Sequence, residues 1–381
     1  MAKKAYIGVD GKARKIKKGY IGVDGVARKI KKAYIGIGGV ARPFWSGGEV
    51  VYYGTTTNGL TTARGNLAAT TVGNYALFGG GGDNAGSVLY TEVNAYNASL
   101  TRSTPTALSK KRMELAATTV GNYALFGGGI IGSSATTANS SAVVDAYNAS
   151  LTRSTPTALY NGRYRLNATT VGNYALFGGG DYGSSSVYTV DAYNTSLTRS
   201  TPTKFSGYKS CYAATTVGDY ALFAGGDNSL TWTDVYVYNT SLTLSSAKDL
   251  TVGRYHMGAT TVGNYALFGG GYGSADTYYR TVNAYDTSLT RSSPTAMAQQ
   301  KARLSAATVG EFAVFSGGRQ NTSNYSTKPD VYDTSLTRTT LSNEVVQDRA
   351  AATTVGKYAL FGGGFSATDT RISTVYAYTV A

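Results

Sequence analysis

Cysteine and histidine are almost absent from this chain. One Cys, Cys211, in 381 residues excludes an intrachain disulfide, so the thiol content says nothing about the compartment. One His, His256, excludes a multi-histidine metal centre. A Ser–His–Asp triad would have to use that same residue, and no nucleophile motif accompanies it. Both are read as loop residues. There is no apolar run long enough to span a bilayer and no window patterned as a long amphipathic helix. The start, Met1-Ala-Lys-Lys-Ala-Tyr6, lacks the apolar core of a cleaved secretion signal. Paired carboxylates, Asp-box runs and metal-ligand spacings are missing too, and no Lys-[Ser/Thr] follows the glycine runs as a phosphate-cradling loop requires. An enzyme is therefore not expected, and no cofactor or metal is assigned.

What fills the chain is glycine, 48 residues of it, between short segments rich in Ala, Thr, Val and Tyr, with only 15% charged residues. That is the composition of an all-β protein. The segment Ala168-Thr-Thr-Val-Gly-Asn-Tyr-Ala-Leu-Phe-Gly-Gly-Gly180 reads as two strands joined at Val-Gly-Asn and stopped by glycines. Its marker Val recurs at Val72, Val120, Val171, Val217, Val262, Val309 and Val355, at intervals of 45 to 51 residues. One supersecondary unit per fixed period signals a radial or solenoid repeat, and a closed ring of such units counts as one domain. In the third copy four strands are expected, a over Leu166–Val171, b over Tyr174–Phe177, c over Val187–Tyr193 and d over Leu197–Pro202.

Residues 1–48 are organised differently. Three 14-residue copies begin at Lys4, Lys18 and Lys32, each pairing a Tyr-Ile-Gly-Val/Ile strand with a second strand through Asp-Gly or Gly-Gly, dipeptides suited to tight hairpin turns. Residues 1–45 hold twelve Lys or Arg against Asp10 and Asp24, so most of the formal +14 lies here and the remainder carries about +4. A lone hairpin is marginal and so short a segment buries little core. An attachment or oligomerisation module is the preferred reading, ahead of a merely solvated basic face and of a polycation for nucleic acid. Strict spacing favours an ordered β-element over a basic arm in which only composition would matter.

The long repeat resembles the kelch repeat of β-propellers. Gly-Gly pairs close the a–b hairpin at Gly79-Gly80, Gly127-Gly128, Gly178-Gly179, Gly225-Gly226, Gly269-Gly270, Gly317-Gly318 and Gly362-Gly363. A Tyr-[Asn/Asp] follows in strand c, from Tyr96-Asn97 to Tyr332-Asp333. The basic residue that kelch repeats carry before strand a stands eight before the marker at Arg64, Arg112, Arg163 and Arg254, drifting to Lys301, Gln347 and a displaced Arg349. The departure is in strand d, where the usual Trp is replaced by Leu in Ser-Leu-Thr-Arg, as at Leu100, Leu151 and Leu197. The resemblance covers residues 49–381 and implies an all-β, seven-bladed kelch-like propeller preceded by the small hairpin segment.

Closure is legible as well. The seventh repeat stops at strand c, Ser373–Tyr378, while Val50 to Leu60 occupies the strand-d register with Leu60 matching Leu159. An N-terminal strand is expected to complete the last blade and remove the sheet edges. The a–b and c–d turns then share one face and are almost constant among the repeats, whereas the b–c and d–a loops share the other and differ in every copy. Binding residues concentrate on loops carried by a rigid scaffold. Ligand contacts on the variable face are expected from Arg112, Arg163, Tyr164, Tyr182, Tyr208, Trp232, Arg254, Tyr255, Tyr272 and Tyr279, because aromatic rings among hydrogen-bonding groups suit sugars and adaptable binding surfaces.

The 14-residue repeats resemble those of tail-associated proteins of phages and prophages of Firmicutes. That resemblance implies a virion adhesin assembled in the bacterial cytoplasm and acting outside it. Residues 1–48 would join it to other virion proteins, with a trimer fitting a fibre, and the propeller would recognise a host surface glycan or protein. Membrane insertion is not expected. Two other readings stay open, a structural virion or surface component without receptor binding and a carbohydrate-active propeller enzyme working with Arg and Glu.

Overall fold

The computed structural model describes residues 6–9, 12–15, 19–23, 26–30, 32–37, 40–46, 48–207, 213–227, 232–274 and 277–381. The chain divides into two compact units, Met1–Val51 with Val380–Ala381, and Tyr52–Thr379. In the first unit three antiparallel hairpins follow one another: Tyr6–Val9 with Lys12–Lys15, Gly19–Val23 with Val26–Ile30, and Lys32–Ile37 with Val40–Ser46. The third slips register between Ala33 and Tyr34. The strands follow the 14-residue repeat, while the Asp10-Gly11, Asp24-Gly25 and Gly38-Gly39 turns lie outside the described residues.

The second unit is a seven-bladed β-propeller. Its innermost strands are Ala68–Val72, Ala116–Val120, Asn167–Val171, Ala213–Val217, Gly258–Val262, Ser305–Val309 and Ala351–Val355, each beside the next, with the seventh returning to the first. In blade 2 the remaining strands are Tyr123–Gly127 (b), Val144–Asn148 (c) and Arg153–Ser154 (d). Every blade is a four-stranded antiparallel sheet of this order. The outermost strand of blade 7 is Val50–Thr55, laid beside Val375–Val380. Thr56 N donates to Val375 O at 2.9 Å and Leu60 N to Ser373 O at 2.6 Å, so closure by the N-terminal strand holds. The described residues contain a single helical turn, Thr137–Asn139.

Threonines organise the axis. The Oγ1 of Thr71 donates to Thr354 O at 2.7 Å, and Thr119 donates to Thr71 O at 2.5 Å. Thr170, Thr216, Thr261 and Thr308 make the same bond to the preceding blade. The preceding Thr of each strand a meets that hydroxyl from the other side, as in Thr118 with Thr170 at 2.9 Å and Thr169 with Thr216 at 2.8 Å. Only small polar residues permit this close approach of seven strands, which is why Ala-Ala-Thr-Thr recurs. Blade 6 breaks the pattern, because Ala307 stands where the partner of Thr354 would be.

Between blades the core is aromatic. Phe126 and Tyr147 meet edge to face at 5.9 Å and 87°, and each blade repeats the pair from Phe78–Tyr96 to Phe361–Tyr378. The phenol then reaches the neighbouring blade, Tyr147 Oη donating to Thr106 O and Tyr193 Oη to Thr157 O, both at 2.7 Å. Gly127 lies so close to Phe177 that a Cβ there would meet the ring at 2.7 Å. Gly128 needs its freedom more, since its φ is +72° and a Cβ would stand 2.6 Å from Arg163 O.

Strand d differs from expectation. In blade 3 it is Arg199–Ser200, not Leu197–Pro202, and strand c runs Val190–Asn194 rather than Val187–Tyr193. Asn194 Oδ1 accepts the backbone N–H of Ser196 at 3.0 Å and of Thr198 at 2.9 Å, which coils the chain and puts Leu197 at φ +61°. The Leu of Ser-Leu-Thr-Arg is thus a turn residue. Across the same face Ala149 of the c–d turn packs on Gly73 of the preceding blade, and Thr195 on Gly121, so the constancy of these turns has a packing cause.

Candidate functional site

On the variable face the described d–a loops of blades 1, 2, 3, 5 and 6 carry a basic residue inward, and blade 7 carries Gln347 there. Arg112 is fully buried, its Nη2 donating to Phe126 O at 3.1 Å and Asp145 Oδ2 at 2.7 Å. Arg163 is buried in the same way against Phe177 O at 3.0 Å and Asp191 Oδ2 at 2.7 Å. Arg254 uses Phe268 O at 3.2 Å and Asn283 Oδ1 at 2.9 Å. Burial pulls Arg112 and Arg254 down to about 10, still charged at neutral pH. Lys301 with Asp330 at 2.9 Å completes the series. These arginines tie strand b to strand c beneath the loops, with no surface for a ligand. The assignment of Arg112, Arg163 and Arg254 as ligand contacts is therefore corrected, since eight residues before the marker lies inside the blade.

The aromatic candidates divide. Tyr164 is buried beside Met113 and Ile130, its hydroxyl donating to Gly183 O at 2.8 Å. Tyr182 is 38% exposed on a two-residue strand paired with Ser185–Ser186. Trp232 and Tyr279 are half-buried. Tyr208, like Cys211, lies outside the described residues. Tyr255 and Tyr272 come together at 5.2 Å, edge to face, with Tyr278 at 4.9 Å from Tyr272 and the His256 ring at 4.8 Å from Tyr255.

Those rings border an arrangement at the axis. Two residues after the buried side chain, the described d–a loops adopt positive φ, from +52° to +58°, at Asn66, Glu114, Arg165, His256, Arg303 and Arg349. The backbones of these residues link blade to blade: Glu114 N donates to Asn66 O, Arg165 N to Glu114 O and Arg303 N to His256 O, each at 2.9 Å. Arg349 N to Arg303 O and Asn66 N to Arg349 O follow at 3.1 Å. Backbone geometry is thus fixed while the side chain varies, with Asn, Glu and His each once and Arg in three blades. The side chains interact around the axis: Arg165 Nε lies 3.2 Å from Glu114 Oε2 of the neighbouring blade, and burial together with the cations of Arg303, Arg165 and Arg349 holds His256 well below the usual imidazole range. Sequence reasoning passed over this ring in favour of tyrosines. The available signal was that the position six before the marker Val holds five different residue types over the seven repeats, Cys211 among them and Arg three times.

A second concavity lies outward on blade 3. Tyr160, Asn161, Tyr188, Pro202 and Lys204 line an open groove of about 800 Å³. Tyr160 is 65% exposed, and Lys204 Nζ sits 4.2 Å over the Tyr188 ring. Among the described residues no three His, Cys, Asp or Glu side chains form a metal-binding group, and no helix is long and apolar enough to cross a membrane.

These features define a seven-bladed β-propeller with constant turns on one face and individually varied loops on the other. No protein-family model and no curated protein matches the sequence. Among solved structures, one titled "Structure of YjhT" superposes with a TM-score of 0.57 at 10% identity, covering 74% of this chain and 98% of that one. At that identity the likeness shows the fold alone.

Proposed function

We propose that this chain is a non-catalytic binding protein whose variable face recognises a cell-surface glycan or protein, and that it serves as an adhesin of a phage tail. The observation that carries the reading is the axial ring, where one backbone geometry presents Asn66, Glu114, Arg165, His256, Arg303 and Arg349 in turn. Drift would spare the residues that pack and vary the rest without regard to place. Here variation extends to a rigid position whose side chains share one electrostatic field, with the Tyr255–Tyr272 pair beside it. Rings and planar hydrogen-bonding groups at fixed positions suit sugars. The resemblance of the 14-residue repeats to those of phage tail-associated proteins supports placing the propeller on a virion, with residues 1–48 contacting other virion proteins or further copies of the chain.

The test is binding of the labelled full-length protein to a panel of Gram-positive gut bacteria, with and without removal of surface glycans. Binding to a few strains that disappears on stripping supports the adhesin. Binding to none, alongside assembly into larger particles, overturns it and leaves a structural component.

A further inference from the structure

The axial ring carries a specific charge pattern. Three of its members are arginines, and the ring's single carboxylate, Glu114, is engaged by Arg165 at 3.2 Å. Arg165 also faces Asp181 at 3.7 Å, and Asp227 lies within its field. Arg349 stands 3.8 Å from Asp348, which is held more tightly by Arg319 at 2.9 Å, and Arg349 also donates to Asn84 Oδ1. Arg303 is different. It makes no ion pair or hydrogen bond through its side chain among the described residues, although it is half-buried and acts on His256, Asp348 and Arg349. A half-buried guanidinium with five donors and no acceptor is a site waiting for one. The Tyr255–Tyr272–Tyr278 aromatic row starts at His256, whose backbone carbonyl accepts Arg303 N at 2.9 Å.

We propose that the axial ring is a subsite for one oxyanion borne on a sugar, with Arg303 as its principal donor, Arg349 of the next blade beside it, Arg165 three blades away around the axis, and Tyr255 and Tyr272 against the ring of the sugar. This rests on the binding reading above and names the chemistry of its ligand. Oxyanions prefer a forked guanidinium to a solvated ammonium, and the neighbouring arginines add to the field instead of neutralising it. Burial and, after it, the arginine cations hold His256 uncharged; a bound oxyanion offsets the cations' part, so binding and imidazole protonation favour each other.

His256 is the single histidine of the chain, which makes its imidazole a reporter at the site. Full-length protein labelled with ¹⁵N-histidine is titrated with D-glucuronate, D-glucose 6-sulfate, D-glucose 6-phosphate, neutral D-glucose and inorganic sulfate at constant ionic strength. The expected result is a saturable shift of the His256 resonances, with a raised pKa, for a charged sugar and for neither glucose nor sulfate alone. Which charged sugar responds separates a carboxylate ligand from a sulfate or phosphate one. Arg303→Gln weakens that binding by about tenfold or more, Arg303→Lys restores part of it, and Lys357→Gln on the constant face changes nothing. No shift with any charged sugar, an equal shift with glucose or with plain sulfate, or unaltered affinity in a folded Arg303→Gln protein overturns the proposal. Cell binding without a His256 response would defeat this subsite while leaving the adhesin standing, and the reverse would do the opposite.

Discussion

Replacing Asp191 by Ala removes the carboxylate from a buried guanidinium. Asp191 Oδ2 accepts Arg163 Nη2 at 2.7 Å, and its Oδ1 accepts Arg199 Nη1 at 2.7 Å and Tyr160 N at 3.0 Å. Both Arg163 and Asp191 are 0% exposed, so water cannot take over the lost contacts. Leaving a buried cation unpaired costs about 3–5 kcal/mol. The protein contains its own control, since Asn94 and Asn283 hold Arg64 and Arg254 at 3.0 and 2.9 Å in blades 1 and 5. Asp191→Asn keeps an acceptor in place and is expected to cost about 1 kcal/mol or less. Urea unfolding followed by circular dichroism separates the two. With a slope of about 3 kcal/mol per M, the Ala variant loses roughly 1 M in midpoint and the Asn variant a third of that or less. If the Ala variant is no less stable than the Asn variant, the reading of these arginines as internal ties between strands b and c is wrong.

Three further outcomes follow from the packing. Ala307→Thr supplies the hydroxyl missing opposite Thr354 and is expected to stabilise by about 0.5–1.5 kcal/mol, seen as a higher melting temperature; a lower one would contradict the threonine ring. Gly128→Ala forces a left-handed residue against Arg163 O and should destabilise by about 2 kcal/mol or more in the same urea assay, with an unchanged midpoint counting against the geometry. The inter-blade tyrosines set an alkaline limit: burial raises Tyr96 and Tyr378 to about 12 and Tyr147, Tyr193, Tyr238, Tyr285 and Tyr332 further. The unfolded chain releases these protons near pH 10 and the folded one does not, so stability falls above pH 10 by about 1.4 kcal/mol per pH unit for each phenol. Phenolate absorbance from these residues should emerge together with loss of the circular dichroism signal, and their ionisation near pH 10 in an intact fold would refute the burial argument.

The sequence by itself determined the architecture of the propeller. Seven marker valines, the Gly-Gly stops and the missing last strand require a ring of seven four-stranded blades closed from the N-terminus, because each is a local signal repeated at a fixed spacing. The two faces were legible for the same reason. What only the tertiary structure decided is which residues of the variable face reach the axis and which lie beneath it. Arg112, Arg163 and Arg254 look like loop cations in sequence, but the blade folds over them and supplies Asp145, Asp191 and Asn283 from a strand about thirty residues on. Leu197 reads as a strand residue until the Asn194 side chain captures two amides and turns the chain. His256, Arg303 and Arg349 are one per repeat and about 46 residues apart, so nothing local joins them. Radial closure does, because it brings the same register position of every blade to one axis, where side chains that never neighbour each other along the chain share one electrostatic field.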